Sequence, residues 1–310
     1  MPLSITIFGF GSQGRAQALN AKGSGWPIQI HLRPGSSRIQ EAKDQGLEIL
    51  TDPAKAAARA RIAVLLIPDT AQPEFYQKYL EPNLPKGASL IFAHGFNIHF
   101  KQIVPRPDLN CLLVAPALAG TALRQNYLEK EEVPILTAVH QDADDTAYRL
   151  VEDYAGAIGG KKVKLFPTTF KEETETDLFA EQVVVCGGIN ALVKRAFETL
   201  VAAGYNPEVA YYSCLKEIKG TTAENLYRYG IQGFRQKISQ TALYGDLTRG
   251  PRIINEKTAQ EMRVILNEIC TGKFTEELMD EKRNGWPTLK QRMKEEENHP
   301  IEKVRDKVDQ

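Results

Sequence analysis

Three groups of residues in this 310-residue chain have the types and spacing to do chemistry. The first is Gly9-Phe10-Gly11-Ser12-Gln13-Gly14, a G-x-G-x-x-G turn. Its first glycine permits a tight turn, its second lets backbone approach a pyrophosphate, and its third allows a helix to pack closely on a strand with its N-terminus toward the phosphates. Alone, the pattern is weak and an ordinary glycine turn explains it. The second group is Arg33, Ser36, Ser37 and Arg38, in Leu32-Arg33-Pro34-Gly35-Ser36-Ser37-Arg38, with no carboxylate before Glu41. A domain specific for NAD usually carries an acid there to bond the ribose 2′-hydroxyl. Two guanidiniums and two hydroxyls around a tight turn suit an additional 2′-phosphate, so NADP(H) is the expected dinucleotide if the glycine turn binds one, and a solvated basic turn if it does not. The third group lies in 172–181, where five acids occur and no base. Asp177 and Glu181 are four apart and share one face of a helix, an arrangement that costs a few tenths of a kcal/mol through like charge. A hard, oxygen-seeking cation such as Mg²⁺ would relieve it. A plain acidic surface turn is the competing reading. The adjoining apolar run Val183-Val184-Val185-Cys186 favours a helix that enters the core.

These groups need elements to hold them. Ile5-Phe8 is a β-branched and aromatic run directly before the glycine turn, and Arg15-Ala16-Gln17-Ala18-Leu19-Asn20 is compatible with a helix directly after it, which is the context the motif requires. Further short runs occur at Ile28-Leu32, Ile62-Ile67, Ser89-Phe92, Leu112-Ala115 and Ile135-Val139. They are apolar throughout rather than alternating, so they predict strands of a parallel sheet covered on both faces by helices, a doubly wound α/β domain of Rossmann type. From Thr169 onward apolar residues fall at helical spacing, as in Leu192, Phe197, Leu200 and Val201, and the second half is expected to be all helical. The turn-like Gly159-Gly160 and the short run Val163-Phe166 place the boundary at 168, giving a dinucleotide domain over 1–168 and a helical domain over 169–310. The charge-dense end, 291–310, reads as a solvated terminal helix or tail.

Composition narrows the classes further. Thirty-nine basic side chains balance thirty-nine acidic ones, which lacks the basic excess of a nucleic-acid coat. That balance conceals opposite local biases: the first forty residues hold four bases and no acid, whereas the acids of 172–181 stand together. Cys111, Cys186, Cys214 and Cys270 are too far apart for a zinc site or thiol-disulfide motif and read as reduced, mostly buried thiols. No base precedes Arg15, so the apolar start does not read as a signal peptide, and a cytoplasmic protein is the default expectation. The strongest apolar runs, such as Ile62-Ile67, are shorter than the roughly 20 residues of a membrane helix, so no membrane association is expected.

The chain resembles the short form of ketol-acid reductoisomerase, an enzyme family of branched-chain amino-acid synthesis. The resemblance spans nearly its whole length. It rests on the glycine turn, on Leu32-Arg33-Pro34-Gly35-Ser36, on Ala93-His94-Gly95-Phe96-Asn97-Ile98-His99-Phe100 and on Val139-His140-Gln141-Asp142-Ala143. It continues through Thr169-Phe170-Lys171-Glu172-Glu173-Thr174-Glu175-Thr176-Asp177-Leu178-Phe179 to Gly250-Pro251-Arg252-Ile253-Ile254-Asn255-Glu256. The resemblance implies NADPH on the N-terminal domain, two Mg²⁺ ions between the domains, and a helical domain that is knotted and joined across a homodimer. The implied reaction is alkyl migration in an acetohydroxy acid, followed by hydride reduction of the resulting 2-keto acid. By position, Asp177 would bridge the metals, Glu181 would hold one, and Glu217 would act at the other. His94 would lie beside the nicotinamide, Asp69, Gln72 and Gly120 would contact the cofactor, and Ser239 would contact the substrate carboxylate.

Two departures fall on the chemistry. Where the family has a lysine after Val-Ala-Pro this chain has Ala117, and where a glutamate stands four residues before the equivalent of Glu217 it has Ser213. Leu243 and Tyr229 are smaller departures, in place of a glutamate and a glycine. Migration builds charge on two oxygens at once and benefits from two metals and a proton-handling network, whereas hydride delivery needs mainly one Lewis-acidic metal and a positioned nicotinamide. The expectation is an NADPH- and Mg²⁺-dependent oxidoreductase of a small 2-keto acid or acetohydroxy acid with its isomerase step weakened or lost. The second reading is a non-catalytic NADPH-binding protein of the same descent, a sensor or an interaction protein. Retention of Asp177, Glu181, Glu217, Ser239 and His94 together argues against it.

Overall fold

The short apolar runs of the first half form strands because both their faces are covered. The computed structural model describes residues 4–308. It divides into two compact units, Met1–Thr176 and Asp177–Gln310. In the first, β1 (Ile5–Phe8), β2 (Ile28–His31), β3 (Glu48–Leu50), β4 (Ile62–Leu65), β5 (Ser89–Phe92), β6 (Asn110–Pro116), β7 (Val133–Gln141) and β8 (Val163–Pro167) make one sheet in the order β3-β2-β1-β4-β5-β6-β7-β8. Every residue of β1, β4 and β5 is buried. Alternate side chains enter two cores: Ile5, Ile7, Ile62, Val64 and Ile91 on one face, and Phe8, Ala63, Leu65, Leu90 and Phe92 on the other.

β1 to β6 run parallel, while β7 is antiparallel to β6 and β8 runs parallel to β7. The fold is therefore the expected doubly wound α/β unit, with one antiparallel pairing that the apolar runs did not reveal. β3 was also not expected: it has only three residues, at the edge of the sheet and without a fully buried position. The strand order reverses between β1 and β4, and in such sheets the crevice beyond the carboxyl ends of those two strands is where ligands bind. The glycine turn follows β1 into that crevice.

The second unit is helical, as expected. Two of its helices begin with an asparagine whose side chain accepts from backbone N–H groups of the first turn, Asn206 before Pro207–Tyr211 and Asn255 before Glu256–Cys270. Its buried core comprises Val193, Phe197, Ala210, Tyr211, Ile301 and Val304. Ile301 and Val304 belong to the helix Pro300–Val308, so the charge-dense end is not merely solvated: its apolar stripe packs into this core.

Two other expectations are corrected. Only Cys111 is buried, whereas Cys214 is half-buried and Cys186 and Cys270 are exposed on helices of the second unit. The run after Glu181 does not enter the core of the single chain, since Val184 and Val185 are 58% and 64% exposed. The continuous helical stretch Phe170–Ala202, 33 residues, is long and apolar enough to cross a membrane by length and composition alone, although its apolar residues are spread over joined helical segments rather than gathered in one run.

Candidate functional site

The turn after β1 is built by close approach. Gly9 has φ +111°, and a Cβ there would lie 2.6 Å from the Leu66 carbonyl oxygen, so no other residue fits beside β4. Gly120 opens the helix Gly120–Glu129 against the turn, and a Cβ on it would meet the Ser12 carbonyl oxygen at 2.2 Å. Gly11 differs, for nothing lies within 4 Å of the Cβ it lacks. The chain is thus pressed together on both sides of the turn and open at Gly11. The helix Ser12–Gly23 begins there without a side-chain cap and without an acid in its first turn, leaving its N–H groups and dipole for an anion.

Buried polar contacts hold this turn in place. Gln13 Nε2 donates to the Leu118 carbonyl at 2.7 Å, so this expected cofactor residue also anchors the segment before Gly120. Tyr154, fully buried, donates to Gln17 Oε1 at 2.9 Å, and burial pushes its phenol far above the usual range. Asn20 Nδ2 donates to the Ile158 carbonyl at 2.8 Å while its Oδ1 accepts from Arg124 Nη1, also at 2.8 Å.

Beside the open glycine lies a cavity of about 230 Å³ lined by Phe10, Gly11, Ser12, Arg15, Arg38 and Arg124 with their neighbours. Arg15 and Arg124 were not singled out in the sequence. Arg15 could have been found from its place in the first turn after the glycines, whereas Arg124 is brought in by the helix after β6. Of the loop after β2, Arg33, Ser37 and Arg38 are exposed and Ser36 is half-buried. Ser36 Oγ accepts weakly from the Arg38 N–H at 3.3 Å. Gly35, at φ +75°, makes the tight turn between Arg33 and Ser36, closed by the Ser36 N–H donating to the Arg33 carbonyl at 3.2 Å. Glu41 approaches the same guanidiniums: Arg38 Nη1 donates to its Oε2 at 2.8 Å, and Arg15 Nε stands 2.7 Å from its Oε1 in an ion contact. The Arg38 guanidinium, helped by Arg15, holds the Glu41 carboxyl below the usual carboxylate range against a smaller effect of desolvation.

A second cluster sits after β4 and β5. Asp69 Oδ2 lies 3.2 Å from His94 Nδ1, and an ionised carboxylate can only accept, so Nδ1 carries the proton in this contact. Gln72, 4% exposed, donates through Nε2 to the Ile67 carbonyl and to Asp69 Oδ1, and accepts at Oε1 from Asn97 Nδ2. Asn97 also donates to the Asp69 carbonyl at 3.0 Å. The sequence-derived residues Asp69, Gln72 and His94 therefore belong to one network, in which Gln72 fixes Asp69 and Asp69 fixes the imidazole. The sequence reading missed Asn97 and Glu173. Glu173 is buried and accepts from the Gly95 N–H at 2.7 Å, holding the backbone next to His94. Its signal was its place among the acids of 172–181, which pointed to a metal instead.

In the helical unit Asp177 and Glu181 are exposed, one turn apart. The helix widens from Glu181 to Val185 into a π-type turn, with the Cys186 N–H reaching the Glu181 carbonyl five residues back. Glu217 and Ser213 are exposed too. Ser213 lies within the π-type turn Tyr212–Lys216, and Glu217 separates it from a second, Ile218–Ala223. Such widenings shift the side-chain register and occur often at functional sites. Ser239 caps the helix Gln240–Ile253, its Oγ accepting from the Ala242 N–H at 3.1 Å. Among the described residues no group of three or more His, Cys, Asp or Glu side chains could hold a metal ion, so Glu217 does not join Asp177 and Glu181 in such a group within one chain. Two exposed carboxylates one helical turn apart still suit Mg²⁺, which commonly takes one or two carboxylates and keeps several waters. The arginine-lined cavity and the open helix N-terminus suit a phosphorylated dinucleotide.

Residues 2–163 match the family described as acetohydroxy acid isomeroreductase, NADPH-binding domain, and residues 170–310 match ketol-acid reductoisomerase, C-terminal domain. The chain is 37% identical to an NADH-preferring ketol-acid reductoisomerase from an uncultured archean, with TM-score 0.95 over 99% of this chain and 93% of that one. A putative oxidoreductase from Jannaschia sp. CCS1 is 14% identical with TM-score 0.66 over 88% of this chain and 97% of that one. A semialdehyde dehydrogenase NAD-binding protein from Cupriavidus necator is 18% identical with TM-score 0.64 over 87% and 99%. These last two share the fold.

Proposed function

Because the chain belongs to the ketol-acid reductoisomerase family, we propose that it is an NADPH- and Mg²⁺-dependent reductase of a small 2-keto acid in which alkyl migration is weakened. The observation that carries the reading is the pair Ala117 and Ser213. The exposed Ala117 offers a methyl where the family has an ammonium, and its own N–H is held by the Pro134 carbonyl at 3.0 Å. Ser213 offers a neutral hydroxyl where the family has a carboxylate. Both losses fall on the step that must balance charge on two oxygens at once.

When bound, the dinucleotide supplies the hydride and the metal supplies Lewis-acid charge. The chain's own residues do the rest. The N–H groups at the start of Ser12–Gly23 and the Arg124 guanidinium bind the pyrophosphate, while Arg33, Ser36, Ser37 and Arg38, with Arg15 beside them, face the 2′-phosphate. Asp69 orients His94, and Gln72 and Asn97 keep Asp69 still, so the imidazole faces the reacting end in one tautomer. Asp177 and Glu181 hold Mg²⁺. Glu217 and Ser239 complete the metal and substrate contacts, Ser239 toward the substrate carboxylate.

The helical unit supports a homodimer. It leaves Val184, Val185, Leu192, Tyr227, Ile231, Tyr244 and Leu247 exposed, apolar side chains that a second copy would cover.

The reading is tested by restoring the missing groups. The double variant Ala117→Lys with Ser213→Glu should raise Mg²⁺-dependent NADPH oxidation with 2-acetolactate by at least tenfold while leaving NADPH affinity within about twofold. No gain with acetolactate in a folded double variant contradicts it.

A further inference from the structure

Against the arginines of the cavity beside Gly11 stands a charge that the dinucleotide reading does not use. Arg15, Arg38 and Arg124 line that cavity, yet Glu41 is in contact with two of those three guanidiniums, at 2.7 and 2.8 Å. Glu41 does not arrive by accident of a flexible loop. It stands one turn after Arg38 on the helix Arg38–Asp44, so the i,i+3 spacing carries the carboxylate to the guanidinium wherever that helix sits. Arg15 is carried to the same carboxylate by the helix that starts at the glycine turn.

We propose that Glu41 narrows the preference for NADPH over NADH, acting as the chain's own anion on the guanidiniums that would otherwise answer a 2′-phosphate. The inference rests on the dinucleotide reading above and adds a specificity-determining residue to it. A 2′-phosphate brings up to two negative charges to a group that already holds one. NADH brings none at that position and leaves the Glu41 contacts intact. The pyrophosphate is common to both cofactors, so the ratio of their affinities isolates the effect. Arg38 is largely exposed, which limits the effect of one charge through solvent screening to about three- to tenfold.

The experiment titrates the full chain with NADPH and with NADH by calorimetry, in the absence of metal and substrate, for the unaltered protein, Glu41→Gln and Glu41→Ala. In both variants the ratio Kd(NADH)/Kd(NADPH) should rise about three- to tenfold, through tighter NADPH binding, and the NADPH Kd should become more sensitive to salt. A ratio that stays the same or falls in the variants overturns the inference while leaving the dinucleotide reading standing, a fall showing that Glu41 places Arg38 for the phosphate. If the unaltered protein binds neither cofactor, the dinucleotide reading is wrong and the inference falls with it.

Discussion

Replacing single glycines at the turn separates its two jobs. Gly11→Ala places a methyl where nothing lies within 4 Å, so the fold should tolerate it. The cost is that of alanine at a helix start, below about 1 kcal/mol, or a fall in Tm of less than about 4 °C. Gly120→Ala places the same methyl 2.2 Å from the Ser12 carbonyl oxygen and 2.4 Å from its carbon, against an ordinary contact of 3.4–4 Å, so backbone must move by more than an ångström. Overpacking of that kind costs roughly 1–3 kcal/mol, or up to about 12 °C. The affinities should run differently. The open space at Gly11 is where a pyrophosphate must approach the helix N-terminus, and losing one charge-assisted hydrogen bond of about 1.5–3 kcal/mol weakens NADPH binding by roughly 10- to 100-fold. Thermal denaturation and NADPH titration of the two variants check this. A Gly11→Ala protein that binds NADPH as tightly as the unaltered chain refutes the placement of the phosphates, and one that melts as far down as Gly120→Ala refutes the reading of Gly11 as open.

Tyr154→Phe removes the donor to Gln17 Oε1 inside the first unit and should cost about 1–3 kcal/mol in urea unfolding, with little change in NADPH affinity. His31 is buried against the Phe8 and Phe75 rings and its pKa is lowered, mainly by burial, with the Leu50 carbonyl and Asp52 opposing. Its folded pKa lies below its unfolded value, so the stability it contributes is complete above about pH 6.5 and is lost as pH falls through the folded pKa. His31→Leu should therefore flatten the fall of stability on acidification below pH 6.5, by at most about 1.4 kcal/mol per pH unit, measured by urea unfolding across that range. Light scattering on a sizing column should give the mass of two chains or a multiple of two, and a single-chain mass at micromolar concentration would leave the exposed apolar faces of the second unit unexplained.

What could be read from the sequence was local. The glycine turn, the buried strands beside it and the helical second half depend on spacing within ten or twenty residues, and they stand where expected. β3 escaped because three residues carry no period, and the reversal into β7 escaped because an apolar run does not state its direction. The contacts that position His94 join residues far apart in sequence: Asn97 reaches Gln72 across 25 residues and Gly95 reaches Glu173 across 78. No spacing rule announces those. The π-type turns after Glu181 and on either side of Glu217 follow from no residue pattern either, yet they decide which way the neighbouring valines and acids face.

The most direct test of the central claim compares two substrates with the unaltered protein. NADPH oxidation is followed with Mg²⁺ present or chelated, once with 2-acetolactate and once with the 2-keto acid that alkyl migration would make from it. Turnover of the pre-formed keto acid at least tenfold faster than of 2-acetolactate, abolished by chelation, is what the retained acids and the missing lysine and glutamate predict. Equal turnover of the two substrates would show that migration survives Ala117 and Ser213 and would contradict the account.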